Sequence, residues 1–136
     1  MKAATAAQAT PLITFMLPGT RYSVQMARFY VRAALGYHGL DDYAGDLEMV
    51  TSELVSNAIT HAGARPFGLE LLRPHDHDAV MVVVTDPCPL PPVKRDPAGD
   101  AEHGHGLLVV EALSASWGWA PRDPGKAVFA ILTGQG

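Results

Sequence analysis

Two pairs of strand-like segments constrain the fold of this chain more than any other feature of its sequence. In each pair, two apolar runs flank a short turn of polar or proline residues. The pairs are Gly68–Pro74 with Ala79–Pro87, and Ser114–Ala120 with Lys126–Leu132. A turn this short joins antiparallel strands, because a parallel connection needs a crossover of a dozen or more residues. The sequence therefore predicts a sheet built around two hairpins.

Two long helices are predicted between a first strand at Pro11–Leu17 and the first hairpin. The first helix is expected from an N-cap at Thr20 to about Leu35, and Gly36 and Gly39 follow it as stop signals. Val24, Ala27, Val31 and Leu35 form its apolar stripe at helical spacing.

The second helix is expected from about Asp42 to Ala62, with Asp41 or Asp42 as its cap and Gly63 as its end. Its apolar stripe consists of Leu47, Val50, Leu54 and Ala58.

A proline-rich loop at 87–103 and a short helix at Gly106–Leu113 separate the two hairpins. A loop of this length in a compact domain is usually functional. The element order is then strand, helix, helix, hairpin, loop, helix and hairpin. This order predicts an α/β two-layer sandwich, with a mixed, mostly antiparallel sheet and the helices on one face. We expect residues 1–10 to form a loose tail and residues 11–136 to form one domain.

Composition narrows the class of function. Apolar residues make up 48% of the chain, which excludes wholesale disorder. The net charge of −4 argues against direct nucleic-acid binding, which normally needs a basic surface. Neither a signal peptide nor an 18-residue apolar stretch is recognisable, and Cys88 has no partner for a disulfide. We therefore expect a cytoplasmic protein that makes no use of a membrane.

The second helix carries the strongest chemical signal. Asp46, Glu53, Asn57 and Thr60 fall in one sector, at the margin of the apolar stripe. The Asn57 amide oxygen is a hard ligand suited to Mg²⁺, and the Glu53 carboxylate can accept a proton from a hydroxyl group. Taken alone, the same residues are equally compatible with a solvated helix face.

Two further signals lie after the helices. Asp86 ends a strand and offers an acceptor to the exocyclic amine of adenine, although an Asp before Pro87 also suits a plain turn. Further on, Gly104 and Gly106 flank His105 and open a helix, where free backbone N–H groups favour anions.

Together these motifs resemble the GHKL superfamily of ATPases and kinases, and in particular its short anti-sigma-factor serine/threonine kinases. Glu53-Leu54-x-x-Asn57-Ala58-x-x-His61-Ala62 is similar to the superfamily's Asn box, and Gly104–Leu113 to its second glycine box. The resemblance covers about residues 11–133 and implies the Bergerat-type ATP-binding fold.

The resemblance also implies roles for individual residues. Asn57 would bind Mg²⁺, Glu53 would be the general base and Asp86 would read the adenine of ATP. The phosphate site and the lid would involve Gly104, His105, Gly106 and Leu107, with the lid at 87–103. The implied function is a bacterial protein kinase that regulates transcription by partner switching with a sigma factor or an anti-sigma-factor antagonist. A homodimer is left open.

Two departures from the family pattern favour an alternative function. Prolines follow Asp86 where the superfamily has glycines, and Ala127 stands where many relatives have a Thr that supports the adenine-binding Asp. The alternative is a non-catalytic regulatory binding module of the same fold, with weak or lost ATP binding.

Overall fold

The computed structural model describes residues 9–75, 78–92 and 106–134. Its helices are α1 (Tyr22–Tyr37), α2 (Ala44–Ala62) and α3 (Gly106–Leu113), with one 3₁₀ turn at Asp41–Tyr43. Its strands are β1 (Ala9–Leu17), β2 (Phe67–Pro74), β3 (Ala79–Asp86), β4 (Ser116–Pro121) and β5 (Lys126–Thr133). Within the described ranges, no helix is long and apolar enough to cross a membrane.

The strands form one sheet in the order β1-β2-β3-β5-β4. Both predicted hairpins are present, β2 with β3 and β4 with β5, and every pairing between the described strands is antiparallel. The predicted two-layer α/β architecture is therefore confirmed, and its sheet is antiparallel rather than mixed.

All three helices pack on the same face of the sheet. The main core contains side chains from α1, α2 and α3 together with alternate residues of the strands, including Leu69, Val82, Val84 and Val128. The intervening strand residues form a second, smaller cluster on the other face: Ala9, Leu72, Ala79, Met81, Val83 and Ile131. The alternation follows from the two-residue period of a strand and confirms that the helices lie on one face.

The predicted helix caps are wrong. At the start of α1, the backbone N–H of Ser23 donates to the backbone carbonyl of Thr20 at 3.0 Å, and the Arg21 side chain at the cap position makes no capping hydrogen bond. Asp41 and Asp42 lie in the 3₁₀ turn that precedes α2, and no side chain caps that helix. The predicted end of α2 is confirmed, because Gly63 follows it with a positive φ of 66°.

Three strands begin at other residues than predicted, and of these β2 starts one residue early, at Phe67. β1 starts at Ala9, so Ala9 and Thr10 belong to the sheet rather than to a tail. β4 starts at Ser116, two residues late, because the Ser114 N–H still bonds to the carbonyl of Val110 in α3. α3 itself has the predicted bounds. Residues 1–8 of the predicted tail and 93–103 of the predicted loop lie outside the described residues.

Candidate functional site

A small cavity lies between the second half of α2, the end of β3 and the start of β5. Its lining consists of Leu54, Asn57, Ala58, His61, Val84, Asp86, Pro92, Lys126 and Val128. The fold thus brings Asn57 and Asp86, two of the predicted site residues, to one place. Leu54, Ala58, Val84 and Val128 belong to the main core, so the cavity is an extension of the core toward the sheet's end.

Helix α2 contributes two polar side chains to the lining of this cavity. Asn57 and His61 lie one turn apart on the face that lines it, and both are half-buried. Glu53 lies one turn before Asn57 and is also half-buried. The other members of the predicted polar sector, Asp46 and Thr60, are exposed. Of that sector, only Asn57 is among the residues that line the cavity.

Asp86 also lines the cavity, and its side chain already accepts hydrogen bonds within the protein. The residue is buried, and its Oδ1 accepts a hydrogen bond from the backbone N–H of Cys88 at 2.8 Å. The same oxygen lies 3.1 Å from Nζ of Lys126. The predicted strand-end acceptor exists, but within the protein it already has a cationic partner.

Lys126 also lines the cavity, and sequence reasoning missed it. Its side chain is 1% exposed, and its ammonium group donates to Asp86 Oδ1 and to the carbonyl oxygen of Cys88, both at 3.1 Å. Its Nζ also lies 3.4 Å from Nδ1 of His61. A buried charge is tolerated only when it is paired and hydrogen-bonded, as here.

The pairing of β3 with β5 explains why Lys126 occupies this position. Asp86 lies opposite Lys126, and Ala127 lies opposite Thr85. The residue facing the Asp86 carboxylate is therefore Lys126 and not Ala127, whose side chain packs against the cluster on the helix-free face. A lysine opening an otherwise apolar strand was the available signal, but its meaning depends on the strand register.

The predicted glycine segment is described only in part. Gly104 and His105 lie outside the described residues, while Gly106 is the first residue of α3. Leu107 is 2% exposed and packs in the main core. Its observed contacts are those of a residue that anchors α3 to the rest of the domain.

A family model with the description "Histidine kinase-like ATPase domain" matches residues 17–131. The chain belongs to this family. The match spans every element that lines the cavity, from α2 to β5. Membership in this family implies ATP binding, with which Mg²⁺ is generally used. A comparison with curated proteins finds no match.

The residues at the two ends of the site fit MgATP unequally. At the metal end, Asn57 offers a neutral oxygen, and no group of three or more His, Cys, Asp or Glu residues surrounds it within the described ranges. Mg²⁺ would then depend on Asn57, water and phosphate oxygens, which is a usual arrangement for this ion.

The cavity beside Asp86 is too small to admit a purine in this structure. The cavity beside Asp86 has a volume of about 10 Å³, roughly what one water molecule needs. Lys126 lines the same cavity, with its Nζ 3.1 Å from Asp86 Oδ1.

Proposed function

We propose that this member of the histidine kinase-like ATPase family is a serine/threonine protein kinase of the anti-sigma-factor type. It would bind ATP and regulate transcription by partner switching with a sigma factor or an anti-sigma-factor antagonist in a bacterial cytoplasm. The observation that carries the proposal is the convergence of Asn57 and Asp86 on one cavity, with Glu53 one helical turn from Asn57.

Each of these side chains has a role that its chemistry suits. ATP would supply the phosphoryl group, and Mg²⁺ would neutralise the charge on the phosphates. The amide oxygen of Asn57 would hold the ion, and the Glu53 carboxylate would take the proton from a Ser or Thr hydroxyl of the partner. Phosphoryl transfer needs mainly positioning and charge stabilisation, so this small set of residues is sufficient.

The surface of α1 supports a protein partner. Tyr22, Met26, Phe29 and Tyr37 recur on one side of the helix and are 68%, 39%, 68% and 87% exposed. Exposed aromatic and methionine side chains in such a row are typical of protein interaction sites. Arg21, Arg28 and Arg32 lie along one margin of this row and are exposed.

The ion pair of Lys126 with Asp86 favours a second candidate function. A domain whose adenine acceptor is permanently neutralised would bind its partner without transferring phosphate. This is the non-catalytic regulatory module, with weak or lost ATP binding.

A transfer assay distinguishes the two functions. Candidate sigma factors and antagonists are first tested for binding to the chain, and the binders are incubated with γ-labelled ATP and Mg²⁺. The kinase proposal expects label on the partner, and a loss of about 10²–10⁴-fold in Glu53→Gln with partner binding retained. Glu70→Gln is the matched control, because Glu70 is a half-buried glutamate of β2, whose neighbour Leu72 packs on the helix-free face. Partner binding with no transfer by the wild type would establish the module instead.

A further inference from the structure

We propose that Lys126 blocks the cavity beside Asp86, which we call the base pocket. Its ammonium group binds the Asp86 carboxylate and must leave before a nucleobase can reach that carboxylate. Lys126 then sets the nucleotide affinity of the domain. The inference rests on the proposed function, since it assumes that Asp86 is the group that meets the base.

The first argument concerns the hydrogen bonds that Asp86 already accepts. A carboxylate oxygen has two lone pairs, and Oδ1 already accepts one hydrogen bond from the Cys88 N–H and one from Lys126. At this oxygen, the exocyclic amine of adenine would have to displace one of these donors. The Lys126 bond is charge-assisted and buried, so a neutral amine is the weaker competitor.

The ammonium group is equally well satisfied. Two of its three protons have acceptors, Asp86 Oδ1 and the Cys88 carbonyl, and the third lies toward His61 Nδ1 at 3.4 Å. The buried charge of Lys126 is therefore paired and hydrogen-bonded in the closed arrangement.

Close packing next to Lys126 determines which part must move. A side chain at Gly125 would collide with the backbone carbonyl oxygen of Asp86 and with the backbone of Pro87, so β5 passes against the end of β3 without spare room. β5 is also paired with β3 as far as Asp86 and Lys126, so withdrawal of the strand would break this pairing. We therefore assign the opening to rotation of the Lys126 side chain.

The test compares binding of Mg-ADP to three forms of the full chain by calorimetry: wild type, Lys126→Thr and Lys126→Met. Thr shortens the side chain, and Met removes the charge while retaining most of the packing volume if Thr impairs folding. We expect at least a tenfold lower Kd in Lys126→Thr and a smaller decrease in Lys126→Met. Lys126→Arg retains the cation and is expected to gain nothing.

Two results would overturn the inference in different ways. Equal affinity for Mg-ADP in wild type and the uncharged variants would mean that Lys126 does not block the base pocket, while nucleotide binding itself would stand. No binding by any form removes both this inference and the proposed ATP-dependent function.

A second readout uses the wild-type protein. If ADP displaces Lys126, saturating Mg-ADP should raise the rate of acetylation of Lys126 by a small amine-reactive ester at least tenfold, measured by mass spectrometry with Lys2 as the internal reference. An unchanged rate at saturation would contradict the displacement.

Discussion

The Asp86–Lys126 pair should show strong coupling in folding stability. The two side chains are 2% and 1% exposed and lie 3.1 Å apart. Coulomb's law with an effective dielectric constant near 20 gives about 5 kcal/mol for unit charges at this distance. Removing one partner of a buried pair typically costs about 3–5 kcal/mol, because the other charge is left uncompensated. We therefore expect Asp86→Asn and Lys126→Met each to lower the free energy of unfolding by about 3–5 kcal/mol.

The double variant is the informative one. Asp86→Asn with Lys126→Met leaves neither charge of this pair, and replacing such a pair with neutral side chains is often close to neutral in stability. We expect the double variant to be more stable than either single variant. Urea denaturation followed by the fluorescence of Trp117 and Trp119 gives the four unfolding free energies, and equal m-values would show that the transitions are comparable.

The reasoning is refuted if the single effects simply add. A coupling energy below about 0.5 kcal/mol would mean that the two charges do not compensate each other. Arg32 and Glu48 provide the control pair, at 2.7 Å: the Arg32 side chain is 68% exposed, and the buried Glu48 keeps Arg28 at 3.9 Å when Arg32 is removed. Solvent screens such a pair, so Arg32→Met should cost less than about 1 kcal/mol.

Three further predictions concern other parts of the fold. Burial, followed by the hydrogen bond to Asp78, raises the pKa of Tyr43 above its ordinary value. The neutral phenol is thus favoured in the folded state. Its contribution to stability is therefore complete below about pH 10 and is lost as the pH rises through the folded-state pKa. Urea titrations at pH 8–11 should show this loss in wild type and less of it in Tyr43→Phe. Gly125→Ala should destabilise the domain by more than about 1 kcal/mol, measured as a lower urea midpoint, because its methyl group meets the backbone of Asp86 and Pro87; an unchanged midpoint would show that the chain yields there. Asn57→Ala should weaken ADP binding chiefly when Mg²⁺ is present, and calorimetry with and without the ion would contradict the metal role of Asn57 if both forms showed the same Mg²⁺ dependence.

The parts of the fold that could be predicted from sequence are those set by local chemistry. The polar turns and apolar runs were enough for both hairpins, and Gly63 for the end of α2. The helix caps could not be predicted in the same way, since Thr20 has the right side chain but contributes only its backbone carbonyl to the first turn of α1.

In the candidate site too, the residues placed by local spacing could be predicted, and the residue placed by strand pairing could not. Helical spacing alone places Glu53 and Asn57 one turn apart on α2. The partner of Asp86 lies 40 residues further along the chain, and its identity depends on the register of β5 against β3. Shifting that register by a single residue would have put Ala127 beside Asp86, so local sequence could not distinguish the two.

The register of β5 also limits how a related chain could acquire an open base pocket. β3 and β5 pair over eight consecutive positions, from Ala79 with Thr133 to Asp86 with Lys126. Side chains alternate between faces, so a slip of one residue would move Val128, Ala130 and Leu132 out of the main core together with Lys126. A change of register produced by insertions or deletions in the turn at 121–125 would therefore disrupt the main core, whereas a substitution at position 126 leaves the register intact. On the proposal that Lys126 blocks the pocket, a single point mutation would be the route from a closed to an open one.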